Sequence, residues 1–108
     1  MSVTTQTSNL SLSATFPVST DALVTNVTMA TADTEYSHTF QNNLKKFILR
    51  TRLFEPLKIT FVSSESGTKY ITIPAACSLT LDGLSFSGKI IYMQSPSSNV
   101  VVEILETY

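Results

Sequence analysis

The chain is poor in the residues that carry redox, metal and membrane chemistry. Its 108 residues hold one cysteine, Cys77, and one histidine, His38. A single cysteine closes no intrachain disulfide, and Cys77 with His38 falls short of a zinc ligand set. No apolar run approaches the roughly 20 residues of a membrane span. Tryptophan is missing, and the 3 glycines, at positions 67, 83 and 88, all sit in turn-like sequence, not in a phosphate-cradling motif. Charge is sparse: 14% of residues, with a formal net charge of −1, against roughly 25% charged in an ordinary soluble domain. No segment longer than about ten residues combines helical periodicity with caps, which excludes a helical bundle. The first residues, MSVTTQTSNLSLS, have neither a basic stretch nor an apolar core, so no secretory signal is expected. Without one, the acceptor patterns at Asn9 and Asn26 read as chance matches in Ser/Thr-rich sequence.

Serine and threonine fill the place of charge, with 15 and 16 copies. Hydrophobic residues make up 43%, too many for a disordered tail. The charges are unevenly placed: residues 1–44 sum to −3, residues 45–89 to +4 and residues 90–108 to −2. Such asymmetry suits contact between copies through complementary surfaces.

Most of the chain reads as short strands between polar turns. In 46–53 Phe47, Leu49 and Leu53 are expected to face inward and Lys46, Arg50 and Arg52 outward, with Ile48 out of phase. Leu57, Ile59 and Phe61 give the next inward set. A turn around Gly67 and a strand over 69–73, stopped by Pro74, follow. The strand over 77–81 ends at Asp82-Gly83, a strong hairpin signal. Leu84-Ser85-Phe86 reads as a brief strand, 89–94 as a central strand and 99–105 as the last. Residues 21–30 and 36–40 fit strands as well. This spacing predicts an all-β, antiparallel β-sandwich, jelly-roll-like, over residues 21–108. Residues 1–20 carry no charge and too little apolar mass to fold alone. They are expected to form an extended N-terminal arm whose Leu10, Leu12 and Phe16 meet another chain, by adding backbone hydrogen bonds to a sheet edge.

Candidate chemistry is thin. A nucleophilic triad needs a base, and His38, on the face of Tyr36 and Phe40, reads as a packed, hydrogen-bonded side chain. Cys77 reads as a small buried hydrophobe. Asp33 with Glu35 reads as a solvated loop pair, and Glu103 with Glu106 as caps of the last strand, without an apolar cradle. No catalytic residue, cofactor or metal is therefore expected. Lys45, Lys46, Arg50 and Arg52 interleave with Phe47 and would suit a nucleic-acid backbone. The net charge and a pI near 5.7 speak against that partner. All four are candidate interface residues, and Arg50 and Arg52 are better read as lying on the exposed face of a strand, paired with carboxylates of this copy or a neighbour. A carbohydrate-binding module would stack sugars on exposed rings, but the tyrosines (36, 70, 92 and 108) fall mostly in alternating strands.

The order EYSHTF, KKFILRTR, LKITF, SGTKYITIP and CSLTLDGLSFSGKIIYMQSPSSNVVVEI resembles short β-rich virion structural proteins of tailed bacteriophages. The match is of strand-and-turn patterns from Glu35 to Tyr108 and carries no catalytic signature. The resemblance implies a non-enzymatic virion protein on the capsid surface. The expected role is a decoration or cement protein that binds the major capsid protein of the assembled head shell, with a trimer favoured and no membrane partner. A neck, tail or fibre component is the alternative of the same class, and a carbohydrate-binding β-sandwich that of another.

Overall fold

The computed structural model describes residues 21–82 and 84–108. They form eight strands: β1 Ala22–Met29, β2 Tyr36–Thr39, β3 Lys46–Thr51, β4 Leu57–Thr60, β5 Ile71–Ile73, β6 Ser78–Asp82, β7 Ile90–Gln94 and β8 Val100–Thr107. One 3-10 turn, Leu84–Phe86, lies between β6 and β7. The strands pair antiparallel in two four-stranded sheets, ordered β1-β8-β3-β6 and β2-β7-β4-β5. The fold is thus all-β and compatible with a β-sandwich.

Period-two patterning produces the layers. Along β8 the buried positions are Val100, Val102, Ile104 and Glu106; along β3 they are Phe47, Leu49 and Thr51. The second sheet answers with Leu57, Ile59, Ile91 and Met93. Phe40 and Phe47 lie with ring centroids 4.5 Å apart at the centre of an aromatic set. β7, the most continuously apolar run, lies between β2 and β4, and β8 lies between β1 and β3.

Five expectations are corrected. Asp82-Gly83 does not open a hairpin: β6 belongs to the first sheet and β7 to the second. The segment expected as a brief strand is instead the 3-10 turn. Its Phe86 meets Phe47 edge-on at 5.9 Å and stacks on Phe61 at 4.8 Å. Packing that half-buried ring against the core outweighs the local turn propensity. Leu53 is not inward, because β3 ends at Thr51 and Leu53 is 71% exposed. Cys77 precedes β6 and is exposed. Its alternation with Leu79 and Leu81 does not extend to a residue outside the ladder. Residues 69–70, expected in a strand, precede β5, which begins at Ile71.

Candidate functional site

The outer face of the first sheet is best described by its cross-strand rungs. Register places Val24 opposite Leu105, Leu105 opposite Ile48, and Ile48 opposite Thr80. The next rung runs Asn26, Glu103, Arg50, Ser78. An apolar row thus lies beside a charged one. Ile48, out of phase with the core pattern, is on this face for that reason. Between the rows is a shallow groove of about 400 Å³, lined by Val24, Ile48, Arg50, Glu103 and Leu105 among others.

Arg50 and Arg52 do pair with a carboxylate, as expected, and they share one. Arg50 Nε donates to Glu103 Oε1 and Arg52 Nε donates to Glu103 Oε2, each at 3.0 Å. The hydrogen bond from Arg52, then that from Arg50, holds the Glu103 carboxyl below the usual glutamate range. Two guanidiniums on one carboxylate leave a local charge of +1 on an exposed face. Lys46 stands opposite Asp82 in register, on the same face of β3 as Arg50, while the Lys45 Nζ donates to the Asn43 carbonyl at 3.1 Å. Leu10, Leu12 and Phe16 lie outside the described residues.

Beyond Arg52 the chain makes a tip that sequence reasoning missed. Phe54 is 69% exposed and has φ of 58°. A left-handed backbone costs a residue with a Cβ about 1–2 kcal/mol. The loop is braced by Thr51 Oγ donating to the Glu55 carbonyl at 2.7 Å and Ser97 Oγ donating to Glu55 Oε1 at 2.6 Å. Ala76, with φ of 65°, and Cys77 line the same hollow of about 220 Å³ as Arg50, Arg52 and Phe54. An exposed aromatic held in a costly conformation is the kind of feature that marks a docking point. The only local signal was the Glu55-Pro56 break.

The two other carboxylates depart from the sequence reading. Glu106 is wholly buried. His38 Nε2 lies 2.8 Å from its Oε1, and the Gln41 N–H donates to its Oε2 at 2.8 Å. With the carboxylate accepting, Nε2 carries the proton; His38 is a packed, hydrogen-bonded side chain. Glu106 shares parity with Val102 and Ile104, the signal that placed it inside. Glu35 is also not a free loop acid, since it accepts from Ser64 N at 2.8 Å and Ser66 N at 3.1 Å. Burial pushes its carboxyl up, but hydrogen bonds from Ser66 and Ser64 outweigh this and hold it below the usual range. Each of these contacts ties a loop or strand end to a neighbour.

Comparison of the chain with protein-family models, with curated proteins and with solved structures returned no match.

Proposed function

We propose that this chain is a non-enzymatic structural subunit of a virion, a decoration or cement protein that binds the assembled head shell of a tailed phage. The observation that carries the reading is the strand order, β1-β8-β3-β6 over β2-β7-β4-β5. In that order the first strand pairs with the last, and every connection except β4 to β5 crosses between sheets. We read it as the double Greek key of a jelly roll, an architecture that serves viral capsid and lectin domains. Residues 1–20 act as the arm, and the subunit works as a trimer on the capsid surface. The exposed Leu53-Phe54 tip, beside the arginine pair, supports a docking role. Weak contacts repeated over many copies add up through multivalency. A subunit that binds only the closed shell stabilises it by mass action.

The topology also favours a second reading, a carbohydrate-binding module. Its best exposed tyrosine is Tyr70, but the Lys58 Nζ lies 4.7 Å from the centroid of that ring and occupies the face on which a sugar would stack.

The experiment adds purified chain to heads from the encoding phage whose gene for it is disrupted. Cryo-electron microscopy and heat-release of packaged DNA then report the outcome. Density repeated over the shell with a higher release temperature is expected. Density confined to the neck or tail moves the protein to that location. Absence of binding, with saturable binding on a glycan array, replaces the reading with the lectin one.

A further inference from the structure

We propose that the outer edge of β1 accepts residues 3–14 of a second copy of this chain as an added strand. The inference deepens the assembly reading above by naming how copies join, and it rests on that reading for the presence of several copies.

The ladder shows which backbone groups are available. Asp21 N donates to the Tyr108 carbonyl at 2.8 Å, and Tyr108 N donates to the Asp21 carbonyl at 3.0 Å. That reciprocal pair sets the alternation of the antiparallel ladder. Leu23, Thr25, Val27 and Met29 turn their amides and carbonyls toward β8, while Ala22, Val24, Asn26 and Thr28 turn theirs away. The Ala22 N–H is taken by the Asp21 carboxylate at 2.8 Å. The amides of Val24, Asn26 and Thr28 point outward, and among the described residues no strand pairs with that side.

Proteins usually blunt such edges with short strands, charge or proline. The other three edges follow this rule. β2 has 4 residues; β5 has 3, between Lys69-Tyr70 and Pro74; β6 has 5 and ends at Asp82. β1 has 8 residues, ALVTNVTM, with no charge, proline or glycine. Val24 is 64% exposed at its middle. It is the long, uncharged edge that a strand can extend.

The same sequence contains a segment suited to that edge. An uncharged edge selects an uncharged strand without proline. Residues 3–14, VTTQTSNLSLSA, have no charge, proline or glycine. Leu10 and Leu12 share one face of such a strand, so they can continue the apolar layer beside Leu23 and Val27, which are only half-buried. The arm joins the domain at Asp21, the start of β1. Residues 15–20 span about 20 Å when extended, enough to reach a neighbour. Folding back onto the arm's own β1 would need a tight turn within TFPVST. That segment has no glycine or asparagine for the positive φ that two-residue hairpins use. Each copy then gives one strand and receives one, a heterologous contact that closes into a ring.

The test uses full-length chains and light scattering behind size exclusion. Wild type is expected at three times the 11.8 kDa chain mass. Val24→Pro removes an outward N–H and leaves the β8 ladder intact, as edge positions permit. Ser11→Pro breaks the donated strand. Each variant is expected at the mass of one chain with an unchanged melting temperature. Should Val24→Pro unfold, Asn26→Pro, at the next outward amide, replaces it. Mixed one to one, the two variants are expected to form a two-chain complex, because one keeps a sound arm and the other a sound edge. Three results would overturn the proposal: a single-chain mass for wild type at every concentration, an assembled Ser11→Pro, or a mixture that stays single-chain. The first is the outcome of an arm pairing within its own chain, and the last means that the arm and the β1 edge are not partners. Shell binding is scored separately. A single-chain wild type that still coats heads defeats this inference alone, and a trimer that does not coat them defeats the virion reading alone.

Discussion

The interior of this domain is finished, whereas one edge and one tip of its surface are not. Among the described residues every buried side-chain nitrogen or oxygen has a partner. Even a wholly buried carboxylate, Glu106, is met by His38 and the Gln41 amide. On the surface, the same chain leaves Val24, Leu53 and Phe54 largely exposed and keeps β1 unblunted. A domain that satisfies a buried acid yet leaves the outward amides of Val24, Asn26 and Thr28 open along an uncharged edge strand has put its specificity inside and its adhesion outside. Residues of the two classes should therefore separate experimentally, with interior changes altering stability and edge changes altering association.

The largest effect is expected inside. His38→Ala strands the Glu106 carboxylate with one donor. Removing one partner of a buried pair costs about 3–5 kcal/mol. Urea midpoints should fall accordingly, and the variant that remains folded should keep the oligomer mass of wild type. Phe47→Ala, at the centre of the aromatic set, should cost about the same.

An edge change should show the opposite pattern. Val24→Lys alters an exposed side chain, so its stability should stay within about 0.5 kcal/mol of wild type. Its association should nonetheless weaken, since a lysine is one of the devices that blunt an edge. A Val24→Lys chain that assembles like wild type breaks the comparison.

Phe54→Gly sharpens it from the tip. Glycine relieves the left-handed backbone cost but adds freedom to the unfolded chain, so stability should rise by up to about 1 kcal/mol. Shell binding should fall in the same variant, because the exposed ring is gone. A residue whose removal stabilises the monomer and weakens docking is retained for the partner.

The smallest effect is in pH. Glu35 and Glu103 both have folded carboxyl values held below the usual glutamate range. Their contribution is complete above the unfolded value of about 4.3 and is lost as pH falls through the lower folded values. Their share of the denaturation midpoint should therefore be constant well above that value and decline below it. Glu103→Gln should reduce the slope of the decline only modestly, since both arginine contacts are exposed and screened.

The sandwich itself was legible in the sequence, because period-two runs such as Phe47-Leu49 and Val102-Ile104 state their face locally. Arg50 and Arg52 were legible as carboxylate partners for the same reason. What failed were the places where tertiary packing decides. Asp82-Gly83 carries a hairpin signal, yet Phe86 packs, half-buried, against Phe47 and Phe61, and the chain crosses to the other sheet. Leu53 continues an inward parity, but β3 has already ended. Glu106 was placed at the strand end by its chemistry and is inside by its parity. The open edge at β1 is invisible to any local pattern, since an edge is defined by which strands lie beside it.

Amide hydrogen exchange in the full-length chain tests the account most directly. Thr25 and Val27 point their amides at β8 and should be protected at all concentrations. If another copy fills the edge, Val24, Asn26 and Thr28 should be protected too, should lose protection on dilution, and should lose it in Ser11→Pro. Exchange of those three amides at the unprotected rate at every concentration, beside a protected Thr25 and Val27, would contradict it.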